Sequence, residues 1–84
     1  MIEKKITVGL PNGLEARQVA MFVQIAGQYN CSVNIEYKGR RVNAKSIMGM
    51  MSLGLAKGEE LTVETDGADE DKAAAGLEAY LSGK

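Results

Sequence analysis

The stretch Cys31-Ser32-Val33-Asn34-Ile35-Glu36-Tyr37-Lys38-Gly39-Arg40-Arg41-Val42-Asn43 decides the fold. Cys31, Val33, Ile35 and Tyr37 alternate with Ser32, Asn34 and Glu36, the two-residue period of a strand that buries one face. Lys38-Gly39 then reads as the turn of a hairpin, and Arg40 to Asn43 returns antiparallel to the strand just left. An antiparallel sheet with one apolar face requires a second layer to cover it.

The segments on either side of the hairpin provide that layer. Upstream, Ile2, Ile6 and Val8 alternate with Lys5 and Thr7, and Gly9-Leu10-Pro11-Asn12-Gly13 ends this first strand near residue 8. From Ala16, the positions Val19, Ala20, Phe22, Val23 and Ala26 recur at helical spacing up to Gly27, and Tyr29-Asn30 closes the first helix. Downstream, a short helix follows Ser46, and Glu59 to Thr65 forms a fourth strand with Leu61 and Val63 inward, ended by Asp66-Gly67. Asp69-Glu70-Asp71 suits the first turn of a last helix, which carries Ala73, Ala74, Leu77, Tyr80 and Leu81 before Ser82-Gly83. The predicted architecture is an α+β, two-layer open-faced sandwich in the order βαββαβα. Its four-stranded antiparallel sheet is covered on one face by three helices.

With 84 residues, the chain is read as one domain over 1–84, near the lower size at which a single core suffices. Cys31 is the only cysteine and there is no histidine, which rules out an internal disulfide and gives no basis for a structural metal or a cofactor. Met1 to Ile6 lacks the apolar run of a signal peptide, and no stretch approaches the roughly eighteen apolar residues of a membrane span. A reduced cytoplasmic setting is expected. The net charge of −1 hides an asymmetry: residues 1–58 hold eight Lys or Arg against three acids, and residues 59–84 hold two against eight. A basic face for a phosphate or an acidic partner is one reading, and ordinary solvated charge is the other. Direct nucleic-acid binding is disfavoured, because the basic residues are scattered and the chain has no Trp and one Phe.

The functional signal lies in Val42-Asn43-Ala44-Lys45-Ser46-Ile47-Met48-Gly49-Met50-Met51-Ser52-Leu53. Ser46 stands at the start of a short methionine-rich helix, where the first amides lack intrahelical partners and the dipole is positive, so a phosphate on its hydroxyl gains hydrogen bonds and field. Plain capping also accounts for a serine there. Gly49 occupies the place where a capping box would put Glu or Gln, so the serine caps alone. At about 100° per residue, Ile47, Met48 and Met51 fall on one side and Met50 and Leu53 on the other. One side belongs to the core and the other is a contact patch.

Gly13-Leu14-x-Ala16-Arg17, the hairpin ending in Val42-Asn43, and Lys45-Ser46-Ile47-Met48-Gly49-x-Met51-Ser52-Leu53 resemble HPr, the phosphocarrier family of the bacterial sugar phosphotransferase system. Asn34-x-Glu36-Tyr37-x-Gly39, Leu55-Ala56-Lys57-Gly58 and Gly67-Ala68-Asp69-Glu70 extend the likeness to nearly the whole chain. The resemblance implies the HPr fold. It also exposes a departure: the family accepts phosphate on a histidine between the residues matching Leu14 and Ala16, and here Glu15 stands there. Gln18 departs as well, where the family usually has proline. Histidine phosphotransfer is thus excluded, and the chain resembles the Crh branch, in which that histidine is glutamine.

For that branch, in low-G+C Gram-positive bacteria, the resemblance implies no enzyme activity. It implies phosphorylation of the residue matching Ser46 by HPr kinase/phosphorylase, then binding to the transcription regulator CcpA as a corepressor in carbon catabolite repression. Arg17, Ala20, Gln24, Lys45, Ile47, Met48 and Met51 are the implied partner-binding residues, and Glu15 marks the degenerate active-site position. Two alternatives remain open at this point. One is an HPr-like signalling module of the phosphotransferase system without a CcpA role. The other is a small acylphosphatase-like enzyme, which would need an arginine cradle and for which the chain offers only Arg17 with Asn12. The expected state is a monomer or a weak homodimer in which the first strand is exchanged, since Gly9 to Glu15, stiffened by Pro11, links that strand to the first helix.

Overall fold

The structure, a computed structural model, describes residues 1–83. Its elements are β1 (Ile2–Thr7), α1 (Ala16–Gly27), β2 (Cys31–Tyr37), β3 (Arg40–Asn43), α2 (Ile47–Met51), β4 (Glu60–Gly67) and α3 (Glu70–Leu81). The strands form one antiparallel sheet in the order β1-β4-β2-β3. The three helices supply the covering layer, so the predicted α+β sandwich is the observed one.

The register follows the alternation in the sequence. Ile6 pairs with Leu61, and Ile35 pairs with Val63 on one side and Val42 on the other, which lines one face of the sheet with apolar side chains. Val33, Ile35, Leu61 and Val63 are buried there beneath Val19, Phe22 and Ala26 of α1 and Leu77 and Leu81 of α3. The Phe22 and Tyr80 rings approach to 6.5 Å between centroids, and the Tyr80 hydroxyl donates to the Gln18 carbonyl at 3.2 Å, joining α3 to the first turn of α1. Burial pushes the Tyr80 pKa up, so this donor stays protonated.

The hairpin turn has both central residues in the left-handed region, Lys38 at φ 49° and Gly39 at φ 78°. This geometry matches the twist of the flanking strands. Beside it, the Tyr37 hydroxyl donates to the Glu59 carboxylate, joining the end of β2 to the residue just before β4.

β4 differs from the sequence expectation at both ends. It begins at Glu60 rather than Glu59 and runs through Asp66-Gly67 instead of stopping before them. Pairing explains the extension, because Asp66 and Gly67 lie opposite Ser32 and Cys31 of β2. Gly67 has φ 145°, and a Cβ there would come within 2.7 Å of the Cys31 Cα, so this glycine permits close strand pairing as well as ending the strand. Thr65, also on β4, is fully buried and donates its hydroxyl to the Glu70 carbonyl at 2.9 Å. Asp69 is the N-cap of α3 but does not cap it. Its carboxylate accepts the Asn30 amide at 2.7 Å, while the Asn30 carbonyl accepts the Asp69 amide at 3.2 Å. That reciprocal pair fixes the start of α3 to the corner between α1 and β2.

Candidate functional site

The turn between β3 and α2 is built by short polar side chains. Asn43 Oδ1 accepts the Lys45 amide at 2.8 Å and the Asn43 carbonyl accepts the Ser46 amide at 3.0 Å, a side-chain-closed turn that aims the chain into a helix. Ala44 is buried and donates its amide to the Val33 carbonyl at 2.9 Å. Ser46 then adopts extended backbone angles, φ −108° and ψ 116°, and its Oγ accepts the Gly49 amide at 3.2 Å. Its carbonyl accepts the Met50 amide at 3.0 Å, the first bond of the helix. Ser46 is therefore the N-cap that the sequence indicates, and it caps without a reciprocal glutamate.

The two sides of α2 separate as the helical spacing predicts. Met50 is buried at 1 % exposure and Leu53 at 7 %, whereas Met48 is 85 %, Met51 51 % and Ile47 49 % exposed. Met50 thus anchors the helix, and the other three apolar side chains face outward. α1 packs against α2 and presents Arg17, Ala20 and Gln24 as exposed residues. Ala20 faces solvent although its apolar character places it in the helical core pattern.

Met21, 49 % exposed, is a member of this surface that the sequence reading does not single out. The available signal is its position four residues after Arg17 and next to Ala20, on the side of α1 away from buried Val19, Phe22 and Ala26.

Lys45 is adjacent to Ser46 in sequence, but its ammonium donates to the Cys31 carbonyl at 2.7 Å and the Tyr29 carbonyl at 3.1 Å. Its charge is thus held at the corner between α1 and β2. At the far end of α2, Arg40 donates to the Ser52 carbonyl at 2.9 Å and to its hydroxyl at 3.0 Å.

Glu15 is the N-cap of α1 and is exposed, and its side chain makes no capping bond; its carbonyl accepts the Val19 amide at 2.8 Å. Arg17 follows in the first turn and makes no ion pair among the described residues. Gln18 occupies the third helical position. Cys31 is half-buried, and that burial pushes its thiol pKa up, which leaves it a poor nucleophile near neutral pH. Among the described residues there is no pocket, no group of three metal-ligating side chains and no helix long and apolar enough to cross a membrane. The candidate site is an exposed surface to which the start of α1 contributes Arg17 and Ala20 and α2 contributes Ile47, Met48 and Met51.

Residues 2–82 match the family model described as the PTS HPr component phosphorylation site. The HPr-like protein Crh of Halalkalibacterium halodurans is 46 % identical over 81 residues, covering 96 % of each chain. The crystal structure of a phosphocarrier protein HPr from Bacillus anthracis superposes with a TM-score of 0.93 at 45 % identity, covering 95 % of each chain. The crystal structure of Bacillus subtilis Crh, described as a dimer with a swapping domain, gives a TM-score of 0.77 at 46 % identity, covering 96 % of this chain and 93 % of that one.

The opposite burial of neighbouring methionines predicts opposite costs of truncation. Met50→Ala removes a fully buried side chain and lowers stability by about 2 to 5 kcal/mol, whereas Met48→Ala changes it by roughly 0.5 kcal/mol or less. Urea unfolding of the two variants beside the parent measures both values. A large loss in Met48→Ala would place that residue in the core and take it out of the surface described.

Proposed function

The chain belongs to the HPr family, and we propose that it works as a Crh-like regulatory protein: Ser46 is phosphorylated by HPr kinase/phosphorylase, and the phosphorylated form binds the transcription regulator CcpA as a corepressor. The observation that carries this reading is the position of Ser46, the N-cap of a helix whose outward side is Ile47, Met48 and Met51. The kinase transfers the γ-phosphoryl group of ATP to Oγ: an O–P bond forms, the bond to the ADP oxygen breaks and the hydroxyl proton leaves. The product gains about −1.5 to −2 charge at neutral pH and three acceptor oxygens. The Gly49 amide already points at Oγ, so one donor is in place. Lys45 is bound to two backbone carbonyls instead, so much of the new charge stays available to cations of a partner, with Arg17 in the first turn of α1 as a further anion contact.

Flexible thioethers around the serine suit a surface that serves both a kinase and a regulator. The phosphocarrier half of the family's chemistry is absent in this reading. Carrier function needs an imidazole nitrogen that forms a labile phosphoramidate, and the chain has no histidine. Glu15 keeps the place but not the chemistry. Action in the cytoplasm, where kinase and regulator reside, belongs to the same proposal.

A second proposal concerns association, and it is favoured by the swapped dimer of the Bacillus subtilis relative. β1 is an edge strand, and the chain leaving it is held by a few backbone bonds: Val8 to Glu59 at 2.9 Å, Gly58 to Val8 at 2.8 Å and Gly9 to Leu81 at 2.8 Å. Gly9 also lies so close to the end of α3 that a Cβ there would collide with the Ser82 carbonyl. Exchange of β1 between two copies restores the strand pairing in each, so opening is the slow step and the net cost is small.

Incubation with HPr kinase/phosphorylase and ATP is expected to add one phosphate, located at Ser46 by mass spectrometry and lost in Ser46→Ala. Equal labelling of Ser32 or Ser52 in that variant would contradict the assignment. Enzyme I with phosphoenolpyruvate is expected to add none, and Glu15→His to recover labelling if the remaining site, including Arg17, is competent. For association, light scattering behind size-exclusion chromatography should show a dimer fraction that rises with concentration and incubation time. A single monomeric mass at the highest concentration after long incubation would contradict the exchange.

A further inference from the structure

Five helical residues are too few to hold a direction in water through backbone bonds alone, so the pose of α2 depends on what holds its ends. The Ser46 hydroxyl satisfies the Gly49 amide at the N-terminal end, and buried Met50 in the helix and Leu53 just beyond it anchor its inner side. The outer side of the C-terminal end is held from another element. Arg40, the first residue of β3, donates from Nη1 to the Ser52 carbonyl at 2.9 Å and from Nη2 to the Ser52 hydroxyl at 3.0 Å, and that hydroxyl donates to the Gly49 carbonyl at 2.6 Å. One guanidinium thus fixes two atoms of the C-cap residue, placing positive charge where the helix dipole is negative. An ammonium lacks that two-pronged geometry. The neighbouring Arg41 pairs with Glu64 at 2.8 Å, so alternation along β3 commits one arginine to the sheet and the other to the helix.

We propose that Arg40 is a positioning residue for the Ser46 helix: its grip on Ser52 fixes the direction in which Ile47, Met48 and Met51 face a partner, and through that the fit of Ser46 to its kinase. Only the kinase clause rests on the function proposed above. Arg40 reaches no reacting atom, and its effect passes through the pose of α2.

Arg40→Gln, Arg40→Lys and Ser52→Ala, each with 13C-methyl methionine, test the proposal against the parent. In Arg40→Gln the Met48 and Met51 methyl resonances shift, the Met50 and Ser52 amides exchange at least about threefold faster, and the urea midpoint stays near that of the parent. Arg40→Lys retains charge and one donor and gives an intermediate effect; Ser52→Ala retains the carbonyl and gives a smaller change in the same sense. In kinetics with HPr kinase/phosphorylase and ATP, Arg40→Gln raises KM by about three- to tenfold at unchanged kcat, the pattern of lost binding fit rather than lost chemistry. Unchanged methyl and amide signals in Arg40→Gln would overturn the clamp, whether or not the parent is phosphorylated. Loosened α2 signals with an unchanged KM would overturn the kinase clause. Failure of the parent to be labelled would count against Ser46 as the modified residue, while the spectra would still decide the role of Arg40.

Discussion

Only one face of the sheet is covered, and this one-sidedness governs the rest of the molecule. β4 lies between β1 and β2, and Leu61, Val63 and Thr65 form the floor of the core at its centre. Every helix must bring its apolar side to that floor, so each also turns a second side to solvent. α1 and α3 have enough turns to bury a continuous apolar side, Val19, Phe22 and Ala26 in one and Ala73, Leu77 and Leu81 in the other. α2 has too few. Its sequence is almost wholly apolar, Ile47-Met48-Gly49-Met50-Met51, and burying Met50 forces Ile47, Met48 and Met51 outward. The exposed patch is thus a geometric consequence of anchoring so short an apolar helix on a one-sided sheet.

The same constraint explains why polar contacts gather around α2. Met50 and, just beyond the helix, Leu53 anchor only the inner side of so short an element, and polar groups at its ends add to their hold. Ser46 holds one end, Arg40 holds the other through Ser52, and Lys45 ties the preceding turn to the Tyr29 and Cys31 carbonyls. The N-cap hydroxyl therefore sits on a braced element. In the function proposed above, charge added to it acts on a fixed surface, which suits a regulator that selects one chemical state of a small protein.

Much of this was legible in the chain because local periodicity and long-range packing agree. The alternation in β2, the Lys38-Gly39 turn and the helical spacing after Ala16 and Asp71 each indicate the element observed. The missed features depend on contacts between distant residues. Asp66-Gly67 reads as a strand end, yet pairing with Ser32 and Cys31 carries β4 through it. Asp69 reads as a helix-start acid, yet its carboxylate serves Asn30. At the site, the opposed faces of α2 follow from spacing alone, while Met21 is not legible because an apolar residue in an apolar-patterned helix looks like core. The partners of Lys45 lie 16 and 14 residues away and that of Arg40 lies 12 away, beyond anything periodicity reports.

Calorimetric titration of CcpA with the Ser46-phosphorylated protein and with the unmodified protein tests the central claim most directly. The account predicts saturable binding of the phosphorylated form, no measurable binding of the unmodified form at the same concentrations, and weaker binding when Met48 of the phosphorylated form is replaced by alanine. Equal affinity for the two forms, or no binding by either, would contradict it.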